Sequence, residues 1–185
     1  MLNLDILQNC LSIQLLQLFM LFSSLDVQIL HILNSYAGFD PIVVFLSVAG
    51  DDILWILIAA ILFLSTSKEK VLYYCSMMLF LVGAVALIKS QLMVPRPEDV
   101  RFVVESSGYS MPSAHSTAAF ATAMFLHHVA IKYGILIWSG AIAMALSRVF
   151  AGVHYPSDVM AGVVLGIMIG YLWLQIEAYF QKKSM

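Results

Sequence analysis

The chain of 185 residues is 62% hydrophobic and only 11% charged, with a mean hydropathy of +0.93. Soluble domains carry roughly a quarter charged residues, and one core of this size cannot hide so much apolar surface from water, so a water-soluble globule is excluded and lipid is the solvent for most of the chain. A net charge of −2 and a pI near 6.2 likewise give no sign of a nucleic-acid partner, which would favour a clustered basic surface.

Residues 1–36 mix Leu, Ile and Phe with Gln, Asn and Ser at helical spacing. That pattern predicts an amphipathic helix lying in the membrane interface, or a weak first span, ahead of a membrane core over residues 37–185. No Lys or Arg precedes Lys68, so the basic leader of a secretory signal is missing and the chain is read as mature protein. Pro41 to Leu64 is long enough to cross a bilayer, but Gly50-Asp51-Asp52 falls near its middle. Either the helix is continuous and the carboxylates face a polar interior, or a lead-in helix with capping aspartates precedes a shorter span.

Val71 to Ile88, Ser113 to Ile131, Tyr133 to about Ala151 and Val159 to Ile176 are the further spans; Arg148 is the one charge among them. The expected fold is an all-α, polytopic transmembrane bundle of five to six spans. Alternating the polar breaks across the membrane puts Lys68, Lys70, Lys132, Lys182 and Lys183 on one face, and Lys89, Arg96, Arg101 and Arg148 on the other. The positive-inside rule assigns the Lys-only face to the cytoplasm.

Some residues are read as packing or interface groups. Gly162, Gly166 and Gly170 recur every four residues, a spacing that lets membrane helices approach closely, and Gly83 stands alone in an earlier span. Trp55, Trp138 and Trp173, and the small apolar Cys10 and Cys75, belong to the same class. His31, His127 and His128 receive no role, and Tyr109, Tyr155 and Arg101 are expected at the interface.

The remaining polar residues gather at the outer ends of the spans. Lys89, Arg96 and Arg148 supply three cations, which suit a multiply charged anion. Pro112 near a first helical position would leave the amides of Ser113 and its successors facing an anion with the positive end of the helix dipole. Phosphate, able to engage several donors at once, fits better than carboxylate. His154 and Asp158 are four apart, one face of a helix, so the aspartate can fix the ring tautomer and leave the other nitrogen nucleophilic. His115, from another helix, can protonate a departing alkoxide.

These clusters resemble the three-part motif of the type 2 phosphatidic acid phosphatase superfamily of membrane lipid phosphatases. Lys, six residues and Arg-Pro is matched by Lys89 to Pro97; Pro-Ser-Gly-His by Pro112-Ser113-Ala114-His115; and Ser-Arg, five residues, His, three residues, Asp by Ser147-Arg148, His154 and Asp158. Ala114 stands where the family has Gly, and it supplies the same backbone N–H unless a positive φ is required. The resemblance implies a metal-independent enzyme without cofactor. His154 attacks phosphorus to give a phosphohistidine, Asp158 orients it and His115 protonates the leaving oxygen. Lys89, Arg96, Ser113, Ala114 and Arg148 hold the phosphoryl group.

The opening segment, with Asn34, Asp40 and the run to Trp55, resembles the small undecaprenyl-diphosphate phosphatases. The expected substrate is therefore a polyprenyl diphosphate, cleaved at the outer face of the plasma membrane with the lipid tail entering between helices. Phosphatidic acid, phosphatidylglycerophosphate and lipid A are the alternative lipids. Phosphotransfer to another lipid and passage of an anionic solute are the alternative activities, and the composition argues against a soluble vanadate haloperoxidase.

Overall fold

The computed structural model describes residues 23–183, and every regular element among them is helical. Residues 23–34 form α1, the described part of the first helix. Five further helices follow: α2 (Ala37–Ser65), α3 (Lys68–Leu92), α4 (Ala114–Val129), α5 (Gly134–Phe150) and α6 (Pro156–Lys183). Residues 1–22, most of the predicted N-terminal segment, and Cys10 with them, lie outside the described residues.

The helix boundaries follow from local chemistry. Pro41 and Asp40 sit in the first turn of the α-helical part of α2, where a missing N–H and a negative charge are both tolerated. The Thr66 hydroxyl and N–H close the other end of α2 on Leu62 O. Met93 ends α3 in the left-handed conformation at φ 50°, its N–H reaching Lys89 O. Gly50-Asp51-Asp52 does not break α2. A widened turn over Ala49–Ile53 carries the helix through, which settles the alternative in favour of a continuous helix.

Among the described residues, four helices are long and apolar enough to cross a membrane: α2, α3, residues 131–150 containing α5, and α6. Their outer surfaces carry exposed Phe45, Leu64, Leu79 and Ile135, a surface that only lipid accommodates. Cys75 is exposed on that surface and does not pack inside. Central to the bundle is α4, whose small and polar residues Ser116, Thr117, Ala121 and Thr122 are buried. It lies against α6 along the glycine ladder. A Cβ at Gly162 would come 2.7 Å from Ser113 O, one at Gly166 would overlap Thr117 O, and one at Gly170 would come 2.6 Å from Met124 Cβ. Gly83 meets nothing within 4 Å and opens outward, so it is no packing residue.

Chain direction alternates, and contacts tie the ends together. At one end Lys70 pairs with Glu177 at 3.9 Å. At the other, Ser113 N–H donates to Asp158 O at 3.0 Å, joining the starts of α4 and α6. Helix α1 lies across this second end. Asp26 accepts from Ser157 N–H at 2.8 Å and from the Ser157 hydroxyl. Asn34 donates to Arg101 O and Phe150 O at 2.7 and 2.9 Å and accepts from Arg101 N–H. Arg101 completes the clasp with an ion pair to Asp40 at 2.6 Å.

Candidate active site

The end where α4 and α6 begin is also where α3 and α5 stop, so it collects all three sequence motifs. Lys89, in the last turn of α3, donates to Tyr109 O at 2.6 Å. Arg96 follows in the connecting loop and is held by three carbonyls: Gly108 O at 3.0 Å, Ser107 O at 2.8 Å and Val153 O at 2.8 Å. Arg148, in the last turn of α5, is buried. One of its nitrogens donates to Ser47 Oγ at 2.6 Å, and its Nε has no protein partner. A buried guanidinium with an unused donor is poised for an anion.

Ser113, not Pro112, opens α4. It is the N-cap, accepting from Ser116 N–H at 3.4 Å and the Ser116 hydroxyl at 3.0 Å. Ser is among the strongest N-caps, so Pro112 falls one position outside the helix and not at its first turn. The Ser113 amide is occupied by Asp158 O, so the free amides at this helix start begin with Ala114.

His154 sits in the turn before α6, 3% exposed. Its Nδ1 lies 3.4 Å from Asp158 Oδ2 and its Nε2 3.4 Å from Arg96 Nη1. A carboxylate can only accept and a guanidinium only donate, so the proton sits on Nδ1 and Nε2 keeps its lone pair. Burial pushes the ring well below the ordinary histidine range, to about 4. Arg96 and Arg148 push the same way, while the hydrogen bond to Asp158 opposes them. At neutral pH the ring is therefore uncharged. Burial also lowers the Arg96 guanidinium, against the pull of Asp158, but an arginine remains cationic.

Asp158 is fully buried, and its Oδ2 also accepts from Tyr155 N–H at 2.8 Å and from the Ser110 hydroxyl. Ser110 Oγ stands 3.3 Å from His154 Nδ1, so it joins both members of the pair. Nothing in the motif spacing marks Ser110; the loop after Arg96 delivers it. Ser47, on α2, is likewise invisible to the spacing.

His115, in the first turn of α4, points toward α2. Its Nε2 is 3.3 Å from Asp51 Oδ1 and 3.3 Å from Ser47 O. Lys89, Ala114 and His115 line one cavity of about 610 Å³ between α2 and α3. Away from these polar groups its walls are apolar, formed by Trp55, Ile56, Met78, Leu79 and Val82. Of the residues read as interface groups, Arg101 belongs to the clasp with Asn34, and Tyr109 serves Lys89 through its carbonyl. Trp55 and Trp173 use their indole N–H groups internally, on Gly50 O and Ser76 Oγ.

The family model of the PAP2 superfamily matches residues 70–182. An undecaprenyl-diphosphatase of Sulfolobus acidocaldarius is 31% identical over 152 residues, covering 78% of this chain and 74% of the relative. A decaprenylphosphoryl-5-phosphoribose phosphatase of Mycobacterium tuberculosis is 38% identical over 96 residues, 49% of this chain and 52% of its own. Among solved structures, LpxE of Aquifex aeolicus superposes with a TM-score of 0.75 at 25% identity, covering 82% of this chain and 95% of that one. The chain thus belongs to the PAP2 superfamily, as a multi-pass membrane protein of its lipid phosphatases.

Proposed function

We propose that this phosphatase hydrolyses a polyprenyl diphosphate at the outer face of the plasma membrane, through a phosphohistidine on His154. The observation that carries the reading is the His154 ring, uncharged, with its Nδ1 turned to Asp158 and its lone pair turned toward Arg96. A phosphoryl group held by Arg96 meets that lone pair directly.

Nε2 forms the P–N bond with the terminal phosphorus as its bond to the bridging oxygen breaks, and His115 gives a proton to that oxygen of the departing lipid monophosphate. Water then attacks phosphorus and releases inorganic phosphate, regenerating the ring. Lys89, Arg96 and Arg148, with the Ala114 amide, neutralise and orient the phosphoryl oxygens, which is most of what phosphoryl transfer asks of a protein. Ser113 contributes by capping the helix that presents that amide. The apolar cavity between α2 and α3 receives the lipid tail.

The polyprenyl choice is supported by the names of the two relatives and by the long apolar wall of the cavity. The outer face follows from the sorting of lysines, with α4 taken as a fifth span. Residues 23–36 then belong to an interfacial segment ahead of the core, as the lie of α1 across the ends of α5 and α6 supports. The test is phosphate release by the purified protein from undecaprenyl diphosphate, phosphatidic acid, phosphatidylglycerophosphate and lipid A. Faster turnover of the first is expected, and equal rates on all four would remove the polyprenyl preference.

A further inference from the structure

A departing alkoxide, as from a lipid monophosphate, needs a proton and a departing phosphate is eased by one, and the three motifs do not explain what keeps His115 able to supply it. The charged groups facing its ring are Arg148 from α5, Lys89 from α3 and Asp51 from α2. Two of these are cations, which oppose a protonated ring; Asp51 alone favours it. Asp51 Oδ1 and Ser47 O both lie 3.3 Å from Nε2, and both are acceptors. Nε2 therefore carries hydrogen, and Nδ1 is left as the donor to substrate.

This approach is built into α2. The turn Ala49–Ile53 is widened, with Leu54 N–H reaching back to Ala49 O, and such turns interrupt α-helices frequently at functional sites. Gly50 within it leaves room for the imidazole, since a Cβ there would come 2.7 Å from His115 Cδ2.

We propose that Asp51 is a positioning residue for catalysis, orienting His115 through Nε2 and stabilising its imidazolium. As the P–O bond breaks, the Nδ1–H bond of His115 breaks with it and the proton moves to the leaving oxygen. The ring is left neutral, with Nε2–H still shared between Asp51 and Ser47. The inference rests on the assignment of His115 as the acid.

The test compares an alkyl monophosphate, whose leaving group needs a proton, with p-nitrophenyl phosphate, whose leaving group does not. It uses the full chain in detergent and variants whose thermal unfolding matches the parent. Asp51→Asn is expected to lower kcat on the alkyl phosphate about tenfold or more with little change in KM. On p-nitrophenyl phosphate the loss should stay below about twofold. The basic limb of the pH–rate profile should move to lower pH, because the imidazolium has lost its counter-charge. Asp51→Glu should recover most of the loss. The double variant with His115→Ala should be no slower than His115→Ala alone. Equal losses on both substrates, no loss, or full additivity would overturn the proposal. If His115→Ala itself spares the alkyl phosphate, the acid assignment fails and takes this inference with it. A strong His115→Ala effect beside a silent Asp51→Asn sinks only the role of Asp51.

Discussion

Helices α4 and α6 meet through small residues, backbone nearly against backbone, whereas α2 and α3 stand apart around a cavity of about 610 Å³. The closely packed side mounts Ser113, His154 and Asp158 on helix starts that are hydrogen-bonded to each other. The open side contributes Lys89 and Asp51 at the mouth of an apolar trough. A nucleophile must be held within fractions of an ångström, while a lipid chain needs only a greasy passage. On the proposed mechanism, the two halves of the bundle meet these demands separately.

The sharpest way to break this division is to remove the proposed nucleophile. His154→Ala should lower phosphate release by about 10⁴-fold or more while vanadate still binds; retained turnover would mean that another group attacks phosphorus. Filling the trough comes next. Ala86 lines it one turn before Lys89, and Ala86→Phe should slow a long-chain lipid phosphate about tenfold or more while sparing p-nitrophenyl phosphate. Equal slowing of both would place the tail elsewhere.

The pH profile examines the rigid side. Because burial pushes the folded His154 down to about 4, against an unfolded value of about 6.5, the proposed nucleophile is already uncharged at mildly acidic pH. The acid limb of kcat/KM should therefore fall near pH 4. Stability moves with it: the unfolded chain binds the extra proton between those values, so stability rises with pH across that window and is lost as pH falls through it. An acid limb near 6.5 would mean a solvated ring.

The smallest effects test packing alone. Gly166→Ala should destabilise by about 1–3 kcal/mol in detergent unfolding, since its Cβ overlaps Thr117 O. Gly83→Ala, which meets nothing, should be neutral or stabilise by up to about 1 kcal/mol through helix propensity. If the two behave alike, the tight and open sides are not mechanically different.

Much of this was legible in the chain itself, because the motif spacings bind residues to helix ends and apolar runs bind helices to the membrane. Lys89, Arg96, Arg148, His154 and Asp158 come to one end of the bundle for that reason. Pro112 misleads because a cap is decided by competition with its neighbour, and Ser113 wins. The widened turn in α2 is silent in a one-dimensional pattern, since Gly50-Asp51-Asp52 reads equally as a break or as a polar face. Ser110 and Ser47 reach the site only through contacts spanning dozens of residues, such as Ser110 to Asp158 and Ser47 to Arg148. Local sequence carries no trace of those. Cys75 and Gly83 misled in another way: in lipid, an outward-facing position costs a small apolar residue nothing, so apolar character does not mean packed.

The Asn34 amide joins three segments with a single side chain: α1, the backbone at Arg101 and the last carbonyl of α5. The family model matches only from residue 70, although similarity to the Sulfolobus relative covers 78% of the chain, so the border of that model is not a border in the folded object. A fragment trimmed to that border would leave two carbonyls and an amide without their partner at the rim of the proposed phosphate pocket, and would discard Ser47 and Asp51 as well. The described residues before 70 are thus part of the wall of the proposed pocket, and removing them should loosen the loop that carries Arg96 before it disturbs any helix.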